Sequence, residues 1–268
     1  MTEKTYHVGI DIGSAASKTV VLKDGRMVDF FLLPTGWSGK EAAKDIQKKL
    51  EEKGYAARMR CVATGYGRDC VDYADKVMTE ITCHGKGSFA LFQKDMTVID
   101  VGGQDTKVIQ VSDAQVADFL MNDKCAAGTG KFVEVMATRL GASLDELYQL
   151  AQNGKPLEIS VMCTVFAESE VISHIGAGEK REDIAAGVIH SVASRVAGLA
   201  ARFGSGSKTV LTGGLCACPY FIRVLSEKLG QPVETHPYAR YAGALGAALV
   251  AGGITLLRQE KWNIQNSR

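Results

Sequence analysis

The sequence predicts an α/β fold built from two duplicated subdomains. Three observations favour this fold class: strand patterns alternate with helix patterns, one strand–turn–strand unit occurs twice, and three apolar strands each end in a glycine-containing turn. A chain of 268 residues, of which 46% are hydrophobic and 23% charged, can form two subdomains that share a cleft. Its formal net charge of +1 gives no electrostatic reason to expect nucleic acid or an anionic membrane as a partner.

A strand–turn–strand unit is repeated in the sequence. Residues 10–18 (IDIGSAASK) align without a gap with residues 99–107 (IDVGGQDTK), at an offset of 89 residues, the difference between positions 100 and 11. The alignment continues in the same register beyond the turn. Three further positions are identical in the two copies: Asp24, Asp29 and Phe30 align with Asp113, Asp118 and Phe119. A repeat of this length predicts a duplicated structural unit.

Each copy contains an Asp-x-Gly turn with the composition of an anion-binding turn. Glycines at Gly13 and at Gly102–Gly103 allow the backbone to expose N–H groups to a phosphate. A carboxylate beside such a turn would repel phosphate unless a cation lay between them. Asp11 and Asp100 are therefore predicted to hold Mg²⁺ through water.

A third glycine turn follows a third apolar strand. Residues 211–215 (LTGGL) contain Gly213 and Gly214, and they precede a helix that Pro219 would open at its first turn. One glycine pair is a weak signal, but three glycine turns in this order favour a nucleotide site. The third turn is predicted to contact the nucleoside.

These three turns resemble the phosphate-1, phosphate-2 and adenosine segments of the acetate kinase, sugar kinase, Hsc70 and actin superfamily. The resemblance implies two duplicated actin-like (ribonuclease H-like) subdomains around a cleft that binds ATP or ADP. The first subdomain is expected at 1–95 plus about 243–268, and the second, with the cysteines discussed below, at 96–242. The nucleotide-binding residues are then expected to be Asp11, Gly13, Ser14, Ser17, Lys18, Asp100, Gly102, Gly103, Gln104, Gly213 and Gly214.

Three polar residues near the phosphate turns admit two interpretations each. Gln104 could orient the water that attacks ATP, with Asp11 and Asp100 as the other catalytic groups, or it only hydrogen-bonds the turn. Lys18 and Lys107 each begin a strand, so they either pair with phosphates or point to solvent.

Several segments are predicted to be helices that cover the sheets. Ser38–Glu41 is a capping-box sequence that opens a polar helix ending at Gly54, and Ser143–Glu146 opens another. Residues 181–203 carry apolar side chains at helical spacing up to Gly204. Residues 241–251 are rich in small side chains, which predicts a helix packed closely in the core.

The seven cysteines are expected to be packing residues or ligands rather than disulfides. The start of the chain has no apolar stretch of signal-peptide or membrane-spanning length, which favours a cytoplasmic location, and an odd count cannot pair completely. Cys125 and Cys163 each precede a helical pattern, where the positive end of the helix dipole would stabilise a thiolate and an anionic sulfur cluster. Two ligands are too few for a four-cysteine cluster, but a two-fold dimer axis would double them. The alternative is that each thiol is a small buried hydrophobic group.

The segments around these two cysteines resemble a particular family. Residues 121–130 (MNDKCAAGTG), 162–170 (MCTVFAESE) and 63–68 (ATGYGR) are similar to the activator (component A) of (R)-2-hydroxyacyl-CoA dehydratases, in the BadF/BadG/BcrA/BcrD ATPase family. The resemblance implies an oxygen-sensitive homodimer of anaerobic metabolism, with one 4Fe–4S cluster held at its interface by Cys125 and Cys163. It also implies that ATP hydrolysis drives one electron, received from a ferredoxin or flavodoxin, to the dehydratase.

Two other functions compete with this interpretation. An ATP-binding subunit of a benzoyl-CoA reductase-type enzyme would keep the chemistry and change the partner. A small-molecule kinase would need an aspartate general base, which stands out only in the duplicated Asp11 and Asp100 pair, and would have no use for Cys125 or Cys163.

The other thiols and two polar sites are predicted to be structural. Cys61 lies in an apolar strand, and Cys70 and Cys83 have no partner at ligand spacing. The Cys216-x-Cys218 spacing is only a faint signal for a metal, and a structural role is favoured there too. His84 is expected to be either hydrogen-bonded or exposed. Glu168 and Glu170 fall in the first turns of a helix, where carboxylates favour the dipole.

Overall fold

The protein is described by a computed structural model that covers residues 5–122, 125–160, 163–203 and 208–255. It has two five-stranded sheets, which confirms the α/β fold class. The first sheet has the order β3-β2-β1-β4-β5, from β1 (Tyr6–Ile12), β2 (Ala16–Lys23), β3 (Arg26–Pro34), β4 (Met59–Thr64) and β5 (Lys76–Val77). The second has the order β10-β9-β6-β7-β8, from β6 (Met96–Val101), β7 (Thr106–Ser112), β8 (Gln115–Asn122), β9 (Lys208–Gly213) and β10 (Val233–Glu234).

The chain divides into two compact units. The first comprises the described parts of Met1–Met96, Ile109–Phe119 and His236–Arg268. The second comprises Thr97–Val108 and the described parts of Leu120–Thr235.

The first unit is organised around β1, which pairs antiparallel with β2 and parallel with β4. Side chains alternate along a strand, so Val8, Ile10 and Ile12 of β1 share one face and pack in one cluster with α1 (Gly39–Glu52). Gly9 lies on the opposite face, where a Cβ would lie 1.9 Å from the Ala244 carbonyl oxygen of α8 (Ala242–Ala251). The two helices therefore lie against opposite faces of β1.

Close glycine contacts explain the small-residue composition of α8. A Cβ on Gly87 of α2 (Glu80–Phe92) would lie 1.8 Å from the Ala242 carbonyl oxygen, and one on Gly246 of α8 would lie 1.8 Å from that of Cys83. Such overlap cannot be relieved by rotating a side chain, so only glycine permits this approach of α2 and α8. The predicted close packing of this helix in the core is confirmed, since Ala244, Ala247 and Ala248 are fully buried.

The second unit places helices around β6 and β9. Its core joins Ile99 and Val101 of β6 to α3 (Gly130–Arg139), α4 (Leu144–Asn153), α5 (Thr164–Gly176), α6 (Arg181–Ala200) and α7 (Pro219–Leu229). The segment Arg181–Phe203 is long and apolar enough to cross a membrane by length and composition. However, 67% of its most apolar window is buried inside the protein, as in the core helix of a globular domain.

The repeat seen in the sequence extends to backbone detail. Asp24 and Asp113, at matching positions of the two copies, both adopt positive φ angles of 50° and 51°. The Asp29 carboxylate accepts a hydrogen bond from the N–H of the following phenylalanine at 2.9 Å, and Asp118 does the same at 2.8 Å. The predicted duplication is confirmed by these matched conformations.

The helix signals in the sequence fix several boundaries. The Ser38 side chain accepts from the N–H of Glu41 to begin α1, and both halves of the capping box are present at the start of α4. Pro219 occupies the first turn of α7. The helix α6 ends at Ala200, and Gly204, its predicted end, lies outside the described residues, as do Asp123, Lys124 and Met162 of the cysteine motifs.

Candidate functional site

The first phosphate turn lies between β1 and β2 in the first unit. Asp11 at the end of β1 is 3% exposed, and its Oδ2 lies 3.4 Å from the Lys18 ammonium nitrogen. Thr35 donates its hydroxyl hydrogen to the Gly13 carbonyl at 2.7 Å, so Ser17 is the donor in the 2.8 Å bond between the two hydroxyls. Ser17 thus supports the turn, and its assignment to the nucleotide stays a prediction.

Backbone from two other segments lies close to the Asp11 carboxylate. A Cβ on Gly65, in the ATGYGR segment, would lie 2.5 Å from Asp11 Oδ1. A Cβ on Gly243 would lie 2.9 Å from Asp11 Oδ2 and 2.9 Å from Nε2 of His84. His84 is therefore a buried neighbour of the site, with 5% exposure, and the alternative of an exposed histidine is wrong.

The second phosphate turn, between β6 and β7, repeats this arrangement in the second unit. Asp100 is 3% exposed, and its Oδ2 lies 3.6 Å from the Lys107 ammonium nitrogen. Lys107 also donates to Oδ1 of Asp105 at 2.6 Å. Buried charges are stable only when paired, so this lysine is held between two carboxylates. The alternative that Lys18 and Lys107 point to solvent is wrong, since their side chains are 17% and 3% exposed.

The backbone of each turn determines which N–H groups can face a phosphate. The N–H of Gly13 donates to the Ala16 carbonyl at 3.2 Å, and that of Gly102 donates to the Asp105 carbonyl at 2.9 Å. The N–H groups of Gly13 and Gly102 are therefore used within their turns. The predicted exposure of N–H groups to a phosphate then falls on the turn tips, at 14–15 and 103–104, and stays a prediction. The Gln104 side chain is exposed.

The third glycine turn lies beside the second phosphate turn within the second unit. Gly213, at the end of β9, has φ 82° and ψ −167°, and a Cβ there would lie 2.3 Å from the Val101 carbonyl oxygen. The preceding Thr212 donates its hydroxyl to Oδ1 of Asp100 at 2.9 Å. The strand that ends at Gly213 thus also orients the carboxylate predicted to hold Mg²⁺.

Cys125 lies between β8 and α3 in the chain. The Asn122 side-chain amide donates to the carbonyls of Cys125 and Ala127, each at 3.2 Å, and the Thr129 hydroxyl donates to the Ala126 carbonyl at 2.6 Å. The N-cap of α3 is Thr129, four residues after the cysteine. Cys125 precedes the helix, as predicted, but a turn separates it from the N-cap.

Cys163 is the N-cap residue of α5, as predicted. Both Cys125 and Cys163 are half-buried, and neither is in a disulfide. The helix α5 then exposes four large apolar side chains, at 43% to 66% of their surface: Val165, Phe166, Ile172 and Ile175. An exposed apolar helix of this kind is typical of a protein–protein interface.

Three of the remaining cysteines are buried, as expected for structural residues. Burial raises the pKa of the Cys61 and Cys83 thiols to about 12, and it also raises the pKa of Cys218. Burial disfavours the charged thiolate, which agrees with a structural role for these three groups. Cys218 instead caps α7, where its sulfur accepts from the Phe221 N–H at 3.4 Å. Cys70 and Cys216 are half-buried thiols.

The described residues contain no group of three or more histidine, cysteine, aspartate or glutamate side chains that could hold a metal ion. Cys125 and Cys163 alone are too few for a four-thiolate cluster, and their sharing of one with a second chain stays a prediction. The two carboxylates in the first turns of α5 have partners of their own: Glu168 pairs with Arg139 of α3, and Glu170 accepts from the Ser160 N–H.

Several residues at the site were not predicted from the sequence. Thr35 and Gly243 have no motif of their own, and their contacts with the turns arise from folding. Asp105 lies in the repeat, but no role was predicted for it. Thr212 was part of the third turn motif, but its bond to Asp100 spans 112 residues and had no local signal.

Comparison with known proteins gives a consistent result. A profile described as the BadF/BadG/BcrA/BcrD ATPase family matches residues 8–251. The (R)-2-hydroxyglutaryl-CoA dehydratase activating ATPase of Acidaminococcus fermentans is 46% identical over 257 residues, which cover 92% of this chain and 96% of that protein. A benzoyl-CoA reductase subunit of Thauera aromatica is 31% identical over 267 residues, which cover 91% of this chain and 92% of that protein.

Solved structures show the same relationships. The activator of the 2-hydroxyisocaproyl-CoA dehydratase from Clostridium difficile, with bound ADPNP, matches with a TM-score of 0.87 at 39% identity, covering 92% of this chain and 94% of that one. ROK hexokinase from Thermus thermophilus matches with a TM-score of 0.53 at 15% identity, covering 92% and 98%, which shows a shared fold. The predicted two-subdomain, actin-like architecture is confirmed by these likenesses.

Proposed function

Because the chain belongs to the BadF/BadG/BcrA/BcrD ATPase family, as its motifs predicted, we propose that it is the ATP-hydrolysing activator of a (R)-2-hydroxyacyl-CoA dehydratase. In this proposal a cytoplasmic homodimer shares one 4Fe–4S cluster and delivers one electron to the dehydratase for each activation event. A ferredoxin or flavodoxin is the proposed electron donor. The observation that carries the proposal is the duplicated turn with its buried Asp–Lys pair, in a chain that also presents two half-buried cysteines beside helices.

The phosphate turns supply the groups that ATP hydrolysis needs. Asp11 and Asp100 lie at the ends of corresponding strands, where they would hold Mg²⁺ through water. The lysines paired with them, Lys18 and Lys107, are fixed near the turns and can balance phosphate charge. The N–H groups at the turn tips would orient the phosphates. Gly213 and Gly214 would contact the nucleoside.

The cysteines and α5 support the proposed dimer. Two protomers related by a two-fold axis would each contribute Cys125 and Cys163, which together supply the four thiolate ligands of a cluster. When bound, this cluster supplies the one-electron chemistry. The exposed apolar side chains of α5 begin at Val165, two residues after Cys163. Burying them against a second copy would therefore also exclude water around the thiolates.

The energy required is within reach of nucleotide binding. For a one-electron couple, each ~59 mV corresponds to about 1.4 kcal/mol, so a shift of a few hundred millivolts needs only several kcal/mol. The protein can produce such a shift by changing burial and hydrogen bonding around the sulfurs. We propose that nucleotide binding achieves this by moving the helices next to Cys125 and Cys163.

A second candidate is supported by the benzoyl-CoA reductase relative at 31% identity. In that case the chain would be the ATP-binding subunit of a benzoyl-CoA reductase-type enzyme, and the same turns and cysteines would serve a different client. The likeness to a kinase fold at 15% identity supports no phosphoryl transfer, because it concerns the fold alone.

The composition of the purified protein tests the proposed function. Anaerobically purified protein is expected to be a brown dimer with about four irons per dimer, matching one cluster. With ATP and a low-potential donor it should activate a purified 2-hydroxyacyl-CoA dehydratase. Activation of a benzoyl-CoA reductase core instead would favour the second candidate, and a colourless protein that phosphorylates a small molecule would contradict both.

Replacing Gln104 with alanine tests its proposed role in orienting water. Gln104 is exposed at the tip of the second phosphate turn, so Gln104→Ala should leave the fold and the affinity for ADPNP nearly unchanged. Removing one group that positions the reacting water should lower kcat for ATP hydrolysis by about 100-fold. Isothermal titration and a steady-state ATPase assay measure the two quantities. An equal loss of affinity and turnover would assign Gln104 to the turn itself.

A further inference from the structure

The second phosphate turn and the Cys125 loop are connected by backbone hydrogen bonds. The N–H of Gly130, the first residue of α3, donates to the Gly102 carbonyl at 2.8 Å. The N–H of Lys131 donates to the Gly103 carbonyl at 2.8 Å. The N–H groups at the start of α3 are therefore satisfied by the carbonyls of the phosphate turn, so the helix start must follow any change in the turn.

A buried side chain makes a third connection. Thr106 is 1% exposed and donates its hydroxyl to the Gly128 carbonyl at 2.7 Å. Gly128 has a positive φ of 90°, and a Cβ there would lie 2.7 Å from Cγ of Arg195 in α6. The Gly128 carbonyl is thus held by Thr106, in a backbone conformation and a space that only glycine fits. Gly128 lies three residues after Cys125.

The first copy of the repeat uses the same position differently. Ser17, which aligns with Thr106, donates to Thr35, and Thr35 donates to the Gly13 carbonyl of its own turn. That hydroxyl therefore only closes the first phosphate turn. In the second copy the hydroxyl at Thr106 reaches outside its turn to the cysteine loop, so this copy alone has acquired a connection of this kind within the described residues.

We propose that Thr106 is a positioning residue that transmits the state of the second phosphate turn to the Cys125 loop. This inference rests on the proposed function in that it takes this turn to bind nucleotide. An anion at the turn tip would reorient Gly103–Gln104 and the Asp105 carbonyl, and Thr106 follows directly in the chain. Because its hydrogen bond is buried and strong, the Gly128 carbonyl moves with it. The loop from Cys125 to Thr129 is braced internally by Asn122, so the displacement reaches the thiol.

Thiol alkylation in the full-length chain tests this connection without requiring a cluster. Iron is removed by chelation, and the rate at which a maleimide modifies Cys125 is measured by peptide mass spectrometry without nucleotide, with Mg-ADP and with Mg-ADPNP. In the wild type these rates should differ by about fivefold or more, the lower end of the range for coupled sites. In Thr106→Val the rates should be equal while the affinity for ADPNP is retained. Thr106→Ser, which keeps the hydroxyl, should behave as the wild type.

The half-buried Cys70 in the first unit is measured in the same samples, so that a change common to both thiols is distinguished from a change at Cys125. The role of Thr106 would be overturned if the rate of Cys125 modification in the wild type did not depend on nucleotide. It would also be overturned if Thr106→Val kept the wild-type difference between the rates. If Thr106→Val does not fold, the rate of amide hydrogen exchange at Gly130 and Lys131 is measured in the wild type instead. Exchange rates that do not change with nucleotide would then overturn the proposed connection. Failure of the proposed function would appear separately, as protein that lacks iron after anaerobic purification.

Discussion

Changing either Cys125 or Cys163 to serine is expected to remove the iron and abolish activation of the client dehydratase. A hydroxyl is a poor ligand for a cluster normally held by four thiolates, and each substitution would remove two of the four from a symmetric dimer. The iron content should fall from about four per dimer to below about one. Neither cysteine lies in the phosphate turns, so both variants should still bind ADPNP. Iron analysis, absorbance near the visible cluster bands and nucleotide titration measure these quantities.

Cys216 provides a matched control for that experiment. It is also a half-buried thiol in the second unit, and the proposal gives it no role in binding iron. Cys216→Ser should keep the full iron content and the ability to activate the client. Iron retained in Cys125→Ser, or lost equally in Cys216→Ser, would contradict the assignment of the ligands.

The repeat predicted which residues of the two phosphate turns correspond. Aligning the two copies placed Asp11 with Asp100 and Lys18 with Lys107. The structure pairs each lysine with its aspartate, a contact that the sequence analysis did not predict. Both partners lie in one hairpin, where antiparallel pairing sets the register. Asp11 lies directly opposite Lys18 across β1 and β2.

Contacts between distant segments could not be predicted in this way. The approach of Gly65 to the Asp11 carboxylate depends on the parallel pairing of β4 with β1, where Thr64 lies opposite Asp11. The burial of His84 depends on how closely α2 packs on α8. A histidine next to a cysteine carries no sequence signal for either arrangement. The local sequence was therefore enough to predict the turns. The other residues that surround them are set by tertiary packing, which the sequence patterns did not show.

The Cys125 loop illustrates a second limit. The sequence showed a cysteine before a helical pattern, but it did not show that Ala126–Gly128 form a turn ahead of the N-cap. That turn allows the Thr106 hydroxyl to donate a hydrogen bond to the carbonyl of Gly128, which lies 22 residues later in the sequence. The dipole argument consequently applies to Cys163, the N-cap of α5, and the position of Cys125 is instead set by side-chain hydrogen bonds.

Replacing Gly213 with alanine is expected to destabilise the second unit and to disrupt nucleotide binding. The backbone at Gly213, with φ 82° and ψ −167°, lies in a region that only glycine adopts readily. The added Cβ would also lie 2.3 Å from the Val101 carbonyl oxygen, so β9 and β6 would have to separate. Together these effects should cost about 3 kcal/mol or more of unfolding free energy. Urea denaturation gives the stability.

Nucleotide affinity should fall in the same variant because Val101 directly precedes Gly102 in the second phosphate turn. A displacement that costs the complex ~1.4 kcal/mol lowers affinity tenfold, so at least about a tenfold increase in Kd for ADPNP is expected. Gly214→Ala is the matched control for stability. No heavy atom would lie within 4 Å of its Cβ, and its φ is not positive. That substitution should change the unfolding free energy by less than about 0.5 kcal/mol. Equal destabilisation by both alanines would show that the contact with Val101 does not govern the turn, because only Gly213 makes it.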